Sequence, residues 1–151
     1  MSVQWRRELS IDGGPIDDDH RHLLEIVNRF EQEGAAGDRK ALLNTLADLR
    51  YYAREHFRRE EQLQEDIHYP KRFQHRLEHQ ELAERLNTVI GHFEGAMTEP
   101  QLVEVSWETV DLLRHWLIDH MIKADLQFRP YVLRARPVPA PPGPIVVGGR
   151  L

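Results

Sequence analysis

His75 and His79 stand four residues apart in the stretch FQHRLEHQ, a spacing that stacks two side chains on one face of a helix. Two imidazoles so placed either grip one metal ion or coincide on a solvated surface. In a chain with nine histidines a single such pair decides nothing. More telling is that His56, Glu60, His75, His79 and His120 all fall where the hydrophobic period assigns core positions. Ionisable groups are costly there unless they are paired or bound to metal. One buried histidine is usually a satisfied core residue, but several arriving from different segments need a common reason.

The segments that must position these residues can be read from turn and cap signals. GAAGD (34–38) is a short loop ending in Asp38, a good N-cap; TEPQ (98–101) offers Thr98 as N-cap, Pro100 in the first turn and Gln101 at the capping-box position. Pro70 can start a helix, Tyr69 before it is biased out of one, and Pro130 is expected to stop what precedes it. Four helical segments result, near 18–33, 39–67, 70–94 and 99–129. Leu42, Leu46, Leu49, Ala53, His56, Glu60 and Leu63 step by fours and threes. The third segment repeats the rhythm from His75 to Phe93, and the fourth from Leu102 to His120. The expected fold is all-α: an antiparallel up-down-up-down four-helix bundle with an N-terminal arm over residues 1–133, followed by a disordered Pro-rich tail over 134–151.

The polar core positions are His20 in the first segment, His56 and Glu60 in the second, His75 and His79 in the third, and His120 with Asp125 in the fourth. Imidazole with carboxylate and no sulfur suits iron, manganese or zinc. Five imidazoles and two carboxylates are too many for one ion but match two ions that share bridging carboxylates. His120 and Asp125 lie five apart, about 500° of ideal helix, which leaves them roughly 140° out of line. A π-bulge, or a loosened last turn ahead of Pro130, is therefore expected as a distortion between Met121 and Phe128.

IDDDHRHLLEIVN (16–28), HFRREE (56–61), YPKRFQHRLEH (69–79) and WLIDHMIKAD (116–125), in that order, resemble the motifs of a bacterial hemerythrin, an oxygen-binding di-iron four-helix bundle. Trp5, Leu9–Ser10 and Gly13 or Gly14 are similar to that family's N-terminal arm, and the resemblance covers roughly residues 5–129. It implies two iron ions with a hydroxide or oxo bridge. His75, His79 and His120 would hold one ion, His20 and His56 the other, and Glu60 and Asp125 would bridge both. Dioxygen would bind reversibly, as a hydroperoxide, at the open position of the two-histidine ion. Leu23, Leu63, Trp116 and Met121 would keep that pocket dry. The alternatives are a peroxidase or ferroxidase at the same site and an oxygen or redox sensor; an oxygen-binding role is expected ahead of an enzyme. Two positions depart from the family pattern, neither of them expected to touch an inferred ligand: Asp19 stands where it often has Gln, and Gln64 where it often has Met.

His22, His68 and His92 are expected at the surface or its boundary, whereas His115, beside Trp116, is a candidate to support a ligand or line an access path. A net charge of −5 without a basic stripe argues against nucleic acid, and the absence of cysteine excludes disulfides and thiolate sites. No signal peptide or membrane span is visible, which fits the cytoplasm.

RARPVPAPPGPIVVGGRL (134–151) reads as an extended spacer with an apolar end. It is either a frayed terminus or a docking peptide. Its form resembles the cargo-loading peptides that dock proteins inside encapsulin shells. That resemblance implies an encapsulin nanocompartment as location, a protective role against oxidative or nitrosative stress, and a peptide at about 144–151. Ile145, Val147 and Leu151 would be its anchors, and Gly148 and Gly149 would allow close approach.

Overall fold

The computed structural model describes residues 3–36, 38–96 and 98–135. After a 3-10 turn at Arg7–Leu9 come α1 (Pro15–Ala36), α2 (Arg39–Asp66), α3 (Arg72–Gly95) and α4 (Glu99–Arg114). The chain continues from α4 through a π-helical stretch, His115–Asp125, into α5 (Leu126–Ala135). α1 packs on α2, α2 on α3, α3 on α4, and α4 returns to α1, which closes a four-helix bundle whose fourth member is this composite helix. No strand occurs among the described residues. None of their helices is long and apolar enough to cross a membrane.

The caps act as the sequence suggests. Asp38 accepts from the Ala41 backbone N–H, and Thr98 with Gln101 forms a reciprocal capping box. The end of α2 is a Schellman turn: the His68 N–H donates to the Glu65 carbonyl and the Tyr69 N–H to the Gln64 carbonyl. His68 takes the left-handed conformation this turn requires, φ 54°, at a position that usually favours glycine. Because that turn buries Tyr69 beside Phe128, Pro70 lies in the turn instead of starting a helix, and α3 begins at Arg72.

Two expectations for the fourth helix need correction. The distortion spans His115–Asp125, so it starts ahead of His120 and ends before Phe128. Its last turn is closed by an i→i−5 bond from the Leu126 N–H to the Met121 carbonyl. Pro130 does not stop the helix, which runs on to Ala135. A proline forfeits one backbone bond, but Phe128 and Val132 on either side of it are buried with Ile11, Ile16 and Tyr69, and burying such side chains offsets a loss of that size. Arg134 and Ala135 are thus helical; the tail residues Ile145, Val147, Gly148, Gly149 and Leu151 lie outside the described residues.

The N-terminal arm is tied down by letters of the first motif that are not metal donors. Asn28 holds Val3 through a reciprocal pair of hydrogen bonds, each 2.9 Å. Buried Asp17 accepts from the Ser10 hydroxyl and from the Ile11 and Gly13 N–H groups. Burial alone would raise the pKa of Asp17, but those donors outweigh it and hold the carboxyl below its usual range. The latch brings Trp5 over the site end of α1, its ring 6.4 Å from that of His20.

Candidate metal centre

The structure brings all seven singled-out side chains into one buried cluster. Glu60 is wholly enclosed and the most accessible of the seven, His120, is only 8% exposed. α1 supplies His20, and α2 supplies His56 and Glu60 one turn apart. α3 supplies His75 and His79, again one turn apart, and the π-helical stretch supplies His120 and Asp125. The π geometry serves that last pair: with i→i+5 bonding, residues five apart come round to the same face. His120 Nε2 accordingly lies 3.0 Å from Asp125 Oδ1.

The donor atoms fall into two groups that share both carboxylates. One holds Glu60, His75, His79, His120 and Asp125; the other holds His20, His56, Glu60 and Asp125; within each, the donor atoms lie within 4.8 Å of one another. In the first, His75 Nε2 is 3.1 Å from Asp125 Oδ1, and His79 Nε2 is 3.1 Å from Glu60 Oε2. In the second, His20 Nε2 is 3.2 Å from Asp125 Oδ2 and 3.8 Å from Glu60 Oε1. Asp125 therefore turns one oxygen toward each histidine group, whereas Glu60 Oε2 faces His75, His79 and, at 3.7 Å, His56, and Oε1 faces His20. The His20 and His56 Nε2 atoms face each other at 3.2 Å, so a proton or a cation must separate their lone pairs.

These residues fit a metal. Ligands at right angles around an ion and roughly 2.1 Å from it stand about 3 Å apart, which is the spacing found. His79 Nε2, His120 Nε2, Glu60 Oε1 and Asp125 Oδ1 are buried without a hydrogen-bond partner among the described residues, a state native interiors avoid unless an ion or water completes it. Without metal, the cluster must hold protons in the ion's place. Burial pushes the imidazoles down, but the carboxylates against them overcome it: His75 is raised to about 10, through Asp125 and Glu60, and His20 and His79 are raised as well. Burial would raise Glu60 and Asp125, yet the surrounding imidazoles hold both below the usual carboxylate range.

The surroundings of the two groups differ. Beside His20 and His56 lies a small cavity of about 10 Å³ lined by Leu23, Trp116 and Met121 together with His120 and Asp125. Leu63, expected in that wall, packs instead with the Ile11 and Phe128 cluster. On the opposite side, a polar cleft of about 330 Å³ between α3 and the π stretch reaches the edges of His75 and His120. His115 sits on its wall, but its imidazole pairs with Asp119 at 2.8 Å and supports no donor of the cluster. His22 and His92 are half-exposed and lie against Glu25 and Glu108, and His68 is exposed in its turn. Gln64, one turn beyond Glu60, is fully buried, and neither of its amide atoms has a partner among the described residues.

Sequence reasoning missed the carboxylates behind the imidazoles. Glu61 Oε1 is 3.0 Å from His79 Nδ1, Glu78 Oε2 3.6 Å from His120 Nδ1, and Asp19 Oδ2 3.5 Å from His56 Nδ1. Each directly neighbours a donor in the chain, Glu61 after Glu60, Glu78 before His79 and Asp19 before His20. That adjacency was the available signal, although sequence neighbours on a helix point about 100° apart, and only the packing shows which partner each one meets.

Comparison with known proteins agrees with this geometry. The chain is 25% identical over 128 residues to a bacteriohemerythrin of Clostridium acetobutylicum, covering 82% of this chain and 96% of that protein. It is 27% identical over 123 residues to a bacteriohemerythrin of Methylococcus capsulatus, with 82% and 90% covered. To one of Stenotrophomonas maltophilia it is 26% identical over 117 residues, with 78% and 72% covered. The hemerythrin HHE cation binding domain matches residues 15–132. That span holds every donor of the buried cluster, and the chain belongs to the hemerythrin HHE cation-binding family.

Proposed function

We propose that the cluster holds two iron ions and that the protein binds dioxygen reversibly. The observation carrying this reading is the shared pair of carboxylates: Glu60 and Asp125 belong to both donor groups and lie between them. His75, His79 and His120 would complete one ion's protein ligands, and His20 and His56 the other's. Membership of the family supports iron as the metal. Bound there, a ferrous pair supplies the electrons that dioxygen takes up on binding and returns on release.

The protein's own contribution is unequal coordination and a dry wall. Five side chains surround one position and four the other, so the four-donor side keeps room for a guest. The cavity by Leu23, Trp116 and Met121 lies on that side. Its volume of about 10 Å³ is near the lower limit for a water-sized molecule. Apolar side chains there exclude bulk water and offer no proton, which keeps uptake reversible and slows loss of electrons to side reactions.

The test is optical. Protein loaded anaerobically with ferrous iron is expected to take up two equivalents, colour in air and bleach reversibly when oxygen is removed. Irreversible bleaching with consumption of added peroxide would replace this reading with an enzymatic one. Retention of a single equivalent would overturn the paired site.

For the tail, we propose docking inside an encapsulin shell, where oxygen chemistry would serve protection against oxidative stress. The support is its sequence: a Pro-rich spacer leading to Ile145, Val147, Gly148, Gly149 and Leu151. Co-expressed with shell protein, the full chain should be loaded and residues 1–136 should not. Equal loading would end that proposal.

A further inference from the structure

Asp19 lies on α1 directly before His20, yet its carboxylate meets α2. Arg59 grips it with a planar fork, Nε on Oδ2 and Nη2 on Oδ1, each at 2.8 Å. Such a two-point grip fixes a carboxylate's plane as well as its position. Oδ2, held in this way, stands 3.5 Å from His56 Nδ1, on the side of the ring that faces away from the cluster. The other two carboxylates behind donor imidazoles are held less firmly. Glu61 has only a 3.4 Å contact with Arg76, and Glu78, 39% exposed, is 3.6 Å from its imidazole. On the four-donor side Asp19 has no counterpart: His20 Nδ1 and His56 Nδ1 are both buried without a hydrogen-bond partner among the described residues, but only His56 Nδ1 has a carboxylate, that of Asp19, beside it.

We infer that Asp19, clamped by Arg59, is a positioning residue for His56, setting the tautomer, direction and donor strength of that imidazole on the four-donor side. The inference rests on the two-ion reading above. A gap of 3.5 Å is a charge contact short of a formed hydrogen bond, and such bonds tighten when a site is loaded. With Nδ1–H turned onto Asp19, the Nε2 lone pair points into the cluster, and the imidazole becomes a stronger donor. A stronger donor favours the more highly charged metal state and slows metal loss. A Gln at this position, as in the family's usual pattern, could accept the same hydrogen bond but would carry no charge. The difference from that pattern is therefore a shift of the metal's redox balance on one side only.

The experiment uses the full chain loaded anaerobically with ferrous iron, with three readouts: iron content, the rate of iron release to a ferrous chelator, and the midpoint potential. In Asp19→Ala, half of the iron should leave roughly 10–100 times faster while the other half keeps its rate, and the potential should rise. Asp19→Asn should recover part of the release rate, because its amide oxygen can still accept from Nδ1–H, but should not recover the potential. Arg59→Gln should shift release and potential in the same direction by less, and should add nothing in the Asp19→Ala background. An Asp19→Ala protein that melts lower yet keeps both release rates and its potential would overturn the inference and leave Asp19–Arg59 a clamp between α1 and α2. So would additive effects of the two substitutions. Failure of the wild type to hold two equivalents would instead remove the two-ion reading itself, and the iron content separates these cases.

Discussion

Glu60→Gln is expected to abolish binding at both metal positions while the helices remain. Glu60 is the wholly buried member of both donor groups, and its two oxygens lie 3.1 to 3.8 Å from Nε2 of His79, His75, His56 and His20. An amide of the same shape fills the space but cannot neutralise two cations, and its NH₂ group would point at nitrogens that need an acceptor. Metal affinity should fall well beyond the roughly 10–100-fold that loss of an outlying partner costs. Glu60→Ala should in addition destabilise the metal-free bundle by about 3–5 kcal/mol, since it leaves the surrounding imidazoles without their counter-charge. Metal analysis after anaerobic loading and a far-ultraviolet dichroism melt separate the two effects. His22→Ala is the control, its side chain being 42% exposed and paired with Glu25; it should keep the full metal complement. A Glu60→Gln protein with two bound ions would remove the shared carboxylate from the proposal.

The bundle was legible because each level of the sequence agrees with the next. Asp38 and Thr98 cap where the apolar period begins, and the stripes from Leu42 to Leu63 and from His75 to Phe93 share the period that places the donors. Donors four apart on regular helices, His56 with Glu60 and His75 with His79, could be placed on one face from spacing alone. The five-residue gap from His120 to Asp125 implied a distortion, but its extent did not follow. An i→i+5 helix is a property of hydrogen bonding over a long stretch, and nothing in HWLIDHMIKAD distinguishes eleven such residues from a single bulge. Pro130 misled for a related reason, since local propensity yields where burial of Phe128 and Val132 on both sides outweighs one lost bond. Asp17 and Asn28 carried a signal as motif letters, yet their hydrogen bonds run to the arm and not to the cluster, a role that spacing within a helix does not report. The carboxylates behind the imidazoles were hidden because Asp19, before His20 in the chain, serves His56 on another helix.

The metal-free and metal-loaded proteins should respond to pH in opposite directions. Without metal, His75 is raised from 6.5 to about 10, and His20 and His79 are raised too. A group whose folded pKa exceeds its unfolded value contributes stability fully below the unfolded value, and that contribution is lost as pH rises toward the folded one. From His75 the metal-free bundle should lose stability steadily as pH rises from roughly 6.5 toward 10. Glu60 and Asp125, depressed from 4.5 and 3.8, act at the other end: their contribution is present above those values and is lost as pH falls through the lower folded ones. The metal-free protein should therefore be most stable between roughly pH 4.5 and 6.5. Metal binding needs neutral imidazoles, so loading must expel the protons the cluster holds, and affinity should grow as pH rises over the range in which the metal-free form weakens. Melting curves from pH 4 to 10, with metal and with a chelator, should diverge steadily above about pH 6.5, and a pH-stat should record proton release on loading at neutral pH. A metal-free protein that gained stability from pH 6.5 to 9, or loading without proton release, would mean that the imidazoles are neutral before metal arrives and that the carboxylates do not hold them charged.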